Sequence, residues 1–277
     1  MDGMMEMLGY DFVLRGVVAG VCVAVICSML GVVLVLRRLS LIGDGLAHVT
    51  FFGVALGLYL RSQPVFFSIP VVMASSLGIF RLMERARMYG DAAIGMVSAG
   101  GVAGGIILAS LGGGFNVDIF SYLFGNILSI TSEEMWLSVL LSAVVLGVMV
   151  YYYRELMSVS FDEEFAKASG INTGRINSIL VLITSVAVVL TIKVVGVMLT
   201  SALMVIPAVT AIQVARGFRS TMAAAVAISI LSVIAGLFVS FFLNLPSGAT
   251  IVLVNIVIFL GVITAKRFLR APRRETA

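Results

Sequence analysis

FVLRGVVAGVCVAVICSMLGVVLVL, residues 12–36, contains a single charged side chain, Arg15. As a helix rising about 1.5 Å per residue, it is long enough to cross a hydrocarbon core of about 30 Å. Its apolar residues do not alternate, as the strands of about ten residues in an outer-membrane barrel would. Lipid offers no partners to backbone N–H and C=O groups, so the run must satisfy them internally, as a helix. Cys22 and Cys27 lie five apart in this run. At 100° per residue they point to different faces. That disfavours a disulfide or a metal pair and favours two small buried hydrophobes.

Eight further apolar runs follow, at 41–60, 64–82, 92–111, 135–153, 176–192, 194–215, 220–243 and 247–265. The 277-residue chain is 61% hydrophobic and 12% charged, against about 25% charged in a soluble domain. Its mean hydropathy is +1.16. The expected fold is all-α: one transmembrane helix bundle over residues 1–277, with about nine spans and eight as the alternative. The stretch GGFNVDIFSYLFGNILSI (113–130) is too short and polar for a span and reads as a loop plus a re-entrant or interfacial helix. Glycines inside spans, as in AGGVAGG at 99–105, favour close helix packing. Pro207, in ALMVIPAVTA, is expected to kink its span.

The net charge is +4, but the basic residues lie between apolar runs and read as topology signals rather than as a nucleic-acid surface. With nine spans, fifteen of the eighteen Lys and Arg fall on one side, and only Arg15, Arg61 and Lys193 fall on or near the other. That split puts the C-terminus in the cytoplasm and the N-terminus outside, with Lys193 snorkelling to the outer interface. The opening MDGMMEMLGYDF is acidic and lacks the basic region of a cleaved signal peptide.

The strongest chemical signal is LSLIGDGLAHVTFFGVALGLYL, 39–60. Asp44 and His48, the only histidine, stand at i and i+4 and share one helix face. A charged aspartate at a helix centre costs about 2.5–3.5 kcal/mol on insertion scales, so something must offset it. A carboxylate and an imidazole are natural ligands for a divalent transition metal. A structural Asp–His hydrogen bond, a helix-start role for Asp44 flanked by Gly43 and Gly45, and a proton relay are the competing readings. One helix supplies two ligands and zinc takes about four; two copies across a two-fold axis would supply them.

The longest polar stretch between spans is RELMSVSFDEEFAKASGINTGR, 154–175. DEEFAKAS is a short helix signal, with Asp162, Glu163 and Glu164 at its positive end and Gly170 as its stop. It reads either as a helix that docks into a partner's groove or as a solvated connector. Among the three lysines none follows a G-x-x-x-x-G run, so ATP binding by a P-loop is not expected on this chain. A gradient-driven carrier would need several intramembrane acids, and only Asp44 is convincing. An intramembrane aspartyl protease needs a second membrane aspartate. A serine type needs a Ser–His pair, and Ser247 is expected near the opposite surface from His48.

The stretches LRRLSLIGDGLAHVTFFGVALG (36–57), DAAIGMVSAG (91–100), SYLFGNILSIT (121–131), SFDEEFAKASGI (160–171), VVGVMLTSALMVIPAVTA (194–211) and LPSGATIVL (245–253) run in order across nearly the whole chain. Together they resemble the membrane permease subunits of the bacterial ABC-type zinc, manganese and iron(II) importers, the ABC-3 family. The resemblance implies a multi-pass protein of the bacterial cytoplasmic (inner) membrane. It implies a second permease subunit, with a homodimer favoured, two cytoplasmic ATPase subunits and an external metal-binding protein. Asp44 and His48 fall in the family's intramembrane metal-contact motif. Asp162, Glu163, Glu164, Ala166 and Gly170 fall in the segment that touches the ATPase. The loose E-x-A-x-x-x-G pattern there is similar to the coupling motif of other importers, without its full form. No permanently bound cofactor is expected; the metal is cargo, with zinc favoured and manganese or iron(II) as alternatives.

Overall fold

A computed structural model describes residues 11–112, 125, 130–197 and 200–269. The described residues form helices and no strand: α1 (Asp11–Leu36), α2 (Ile42–Tyr59), α3 (Pro64–Arg85), α4 (Gly90–Leu111), α5 (Ser132–Tyr151), α6 (Tyr153–Phe161), α7 (Glu163–Ala168), α8 (Thr173–Val195), α9 (Thr200–Val214), α10 (Phe218–Leu243) and α11 (Ser247–Leu269). Eight are long and apolar enough to cross a membrane. The expected re-entrant segment at 113–130 lies outside the described residues except for Gly125 and Ile130, and so does the Lys193 side chain.

The polar edges of the spans set their true starts. Thr131 caps α5: its hydroxyl accepts from the Glu134 N–H, and the Glu134 carboxylate accepts from the Thr131 N–H. This capping box starts the helix at Ser132, three residues before the apolar pattern does. Asn172 caps α8 by a single bond, its side-chain oxygen accepting from the Arg175 N–H.

The expected span at 194–215 is the exception. Gly196, at φ 92°, follows the end of α8 inside this run, and the α-helix described beyond it there is the fifteen-residue α9. That is about 22 Å of helix, shorter than any of the eight long helices. Pro207 sits buried inside it, beside Leu203, Met204 and Ala208.

The helices sort into an inner and an outer set. In α8, 72% of the apolar window is buried, and α1 and α2 are similar; in α3, α4 and α5 the share is 22%. The short α9 packs with the inner set, against α1 and α10. The outer helices turn large apolar side chains away from the bundle, including Ile106, Ile107, Leu140, Leu253, Val257 and Leu260. Buried Cys27 meets the Thr191 hydroxyl of α8 at 2.9 Å, and both cysteines are free.

Small residues let α2 sit tightly in this core. A Cβ on Gly101 of α4 would lie 2.8 Å from the Val49 Cα, and one on Gly53 of α2 would lie 2.6 Å from the Ser68 Cα of α3. Backbones touch at both places, which is how helices gain van der Waals contact where lipid removes the hydrophobic drive.

Candidate functional site

Helix α2 is fixed on its back and open on its front. Gly43 approaches Met204 of α9, and Gly45 approaches Ile94 of α4. Ile42, Leu46 and Ala47 are buried with them. Seating that face turns the opposite stripe outward, carrying Leu41, Asp44, His48 and Tyr59 at helical spacing.

Asp44 stands in the first turn of α2, near the helix's positive end, as its helix-start reading requires. The Asp44 Oδ2 and His48 Nε2 atoms are 3.7 Å apart, with 44% and 29% of the two side chains exposed. That separation exceeds a hydrogen bond of 2.7–3.2 Å, so the two groups are neighbours that do not satisfy each other. Both face out of the chain. Among the described residues no cluster of three His, Cys, Asp or Glu exists that would hold a metal. One chain therefore brings together two candidate donors, Asp44 and His48.

The segment at 154–175 folds as two helices where the sequence gives signal for one. In α6, Leu156, Val159 and Ser160 turn inward. Their three- and four-residue spacing is the amphipathic signal that reveals the extra helix. Asp162 caps α7 through the Phe165 N–H at 2.9 Å. Ala166 is fully buried and anchors it. Gly170, at φ 86°, ends it: the Gly170 N–H reaches the Lys167 carbonyl and the Ile171 N–H reaches that of Ala166. This is the Schellman closure, which needs the left-handed residue that glycine supplies.

Glu163 and Glu164 part company. Glu164 is exposed. Glu163 turns inward, where Arg37 Nη2 donates to its Oε2 at 2.8 Å and Asn177 Nδ2 to its Oε1 at 2.9 Å. Arg37 also donates to the Asn177 side-chain carbonyl. Only 11% of the Arg37 side chain is exposed. Burial lowers its pKa from the ordinary arginine value, and the Glu163 carboxylate works against that. Arg37 immediately follows α1 and lies five residues before α2. The three side chains thus tie α7 and α8 to the turn that leads into the Asp44 helix. The charge pattern marks Arg37 only as a topology residue, and Asn177 carries no signal at all.

The ABC 3 transport family matches residues 9–266. The chain belongs to the ABC 3 transport family. Within known members, it is 31% identical to the manganese transport system membrane protein MntC of Listeria monocytogenes, over 94% of this chain and 91% of that one. It is 28% identical to the high-affinity zinc uptake system membrane protein ZnuB of Haemophilus influenzae, over 90% of this chain and 96% of that one. Its fold matches PsaBC from Streptococcus pneumoniae, solved in complex with a Fab, at a TM-score of 0.85 and 26% identity, covering 94% of each chain. The ABC 3 resemblance read from the motifs and the all-helical membrane fold are therefore both borne out.

Proposed function

We propose that this chain is the membrane permease of an ATP-driven importer for a divalent transition metal. Two permease subunits, two cytoplasmic ATPases and an external metal-binding protein complete the assembly. With the short α9 counted as a ninth crossing, the N-terminus lies outside and the C-terminus in the cytoplasm of the bacterial inner membrane. Single out one observation and it is the outward-facing Asp44/His48 stripe: an acid and an imidazole 3.7 Å apart, on a span that is otherwise apolar, in a member of a transport family.

A homodimer with the two α2 stripes facing each other would gather two carboxylates and two imidazoles. The ion offsets the cost of the acids while it stays and restores it when it leaves, which suits a site that must bind and release. The α7 end of the 154–175 segment is the part that meets the ATPase, through exposed Asp162 and Glu164, with Ala166 and Gly170 holding its shape. Its movement would reach the start of α2 through Glu163 and Arg37. Hydrolysis belongs to the ATPase subunits.

Zinc is the first candidate, because four N/O ligands with two histidines suit its tetrahedral preference. Manganese is the second reading, favoured by the similarity to MntC; iron(II) accepts the same ligands. Growth of a deletion strain carrying this chain, under separate limitation for zinc, manganese and iron, tests the assignment. Rescue under zinc limitation is expected. Rescue by manganese alone would overturn zinc, and no metal-dependent rescue would overturn metal import.

A further inference from the structure

Where α5 ends and α10 begins, an open cavity of about 740 Å³ is lined by Tyr153, Arg154, Met157, Phe218 and Arg219. A second, of about 470 Å³, shares Tyr153, Arg154 and Arg219 and continues to Met29, Val150 and Met222. The two adjoin at Tyr153, Arg154 and Arg219, with exposed arginines at the rim and apolar side chains beneath.

The rim is cationic and incompletely satisfied. Neither Arg154 nor Arg219 has an acidic partner among the described residues. The Arg219 guanidinium stands 5.8 Å over the Tyr153 ring. The Tyr153 hydroxyl is buried with no hydrogen-bond partner among those residues. The Ser220 hydroxyl already takes the Gly217 N–H, so the arginines rather than the end of α10 supply the charge. The floor runs inward: Met29 lies seven residues before Leu36 at the end of α1, about 10 Å along the helix. Tyr151, exposed at the end of α5, adds an interfacial aromatic of the kind found at headgroup depth.

We infer that this groove binds the headgroup and upper acyl chain of an anionic phospholipid. The phosphate sits between the two guanidiniums, which match its oxygens. The chain lies on Met29, Val150 and Met222. A soluble anion would leave the apolar floor bare, and a zwitterionic lipid would leave the arginine charge uncompensated. Basic pockets between spans are recognised sites for such headgroups. The inference does not depend on which ion the protein carries.

The test uses the full chain co-purified with its ATPase subunit in detergent, with retained lipid counted by native mass spectrometry after adding phosphatidylglycerol or phosphatidylcholine. The wild type is expected to retain phosphatidylglycerol selectively, and millimolar inorganic phosphate is expected not to displace it. The Arg154→Gln/Arg219→Gln variant is expected to bind it about 30-fold more weakly, and Arg154→Lys/Arg219→Lys to fall between it and the wild type, keeping the charge without the fork. Equal retention of the two lipids, undiminished retention by the Gln variant, or displacement by phosphate would each overturn the site. So would loss of the ATPase subunit from the Gln variant with lipid binding intact, since the groove would then be a protein-docking face. Should the Gln variant fail to insert, wild-type melting decides: a rise with phosphatidylglycerol alone supports the site, and equal rises overturn it.

Discussion

At the residue scale, the account depends on two side chains that do not satisfy each other. Asp44 and His48 were legible because helical periodicity alone puts i and i+4 on one face. Their outward aim was not, since it follows from glycines 43 and 45 seating on residues far away in sequence. Asp44→Asn keeps the shape and removes the charge, and His48→Ala removes the second ligand. Each is expected to cut metal uptake at least tenfold in vesicles holding the assembled transporter. Insertion and association with the ATPase should be unchanged, because neither side chain packs in the core. Uptake at wild-type rates in both variants would remove the pair from the path.

At the element scale, the two acids of α7 are expected to behave differently. Glu163 is spent within the chain, and Glu164 is free to meet a partner. Hydrogen bonds to charged groups contribute about 1.5–3 kcal/mol; with Glu163 45% exposed, solvent screening brings the expected loss in Glu163→Gln to about 1 kcal/mol. A thermal-melting double-mutant cycle with Arg37→Gln should show coupling between the two positions. Glu164→Arg should leave melting unchanged and reduce co-purification of the ATPase. The reverse pattern would reassign the two roles.

The elements themselves were largely readable. Long apolar runs locate the eight spanning helices, and capping chemistry explains why several start earlier than hydropathy suggests. Two features were not. The break after α8 falls at a positive-φ glycine, Gly196, which hydropathy does not register. The Arg37–Glu163 tie joins residues 126 apart in sequence, and no local pattern announces a contact of that range.

At the scale of the whole molecule, the sequence says little about which spans lie inside. In lipid both a buried and an exposed face are apolar, so amphipathic patterning fades and packing is decided by small residues and backbone contact. The inner placement of α1, α2 and α8 comes from the fold. So does the outward aim of Asp44 and His48, the two proposed metal ligands. That geometry leads to the central claim, which is that two chains complete one site. Metal analysis of the purified, assembled transporter equilibrated with zinc tests it most directly. The account predicts one zinc ion for every two permease chains, lost in Asp44→Asn. One ion per chain, or stoichiometry unaltered by that substitution, would contradict it.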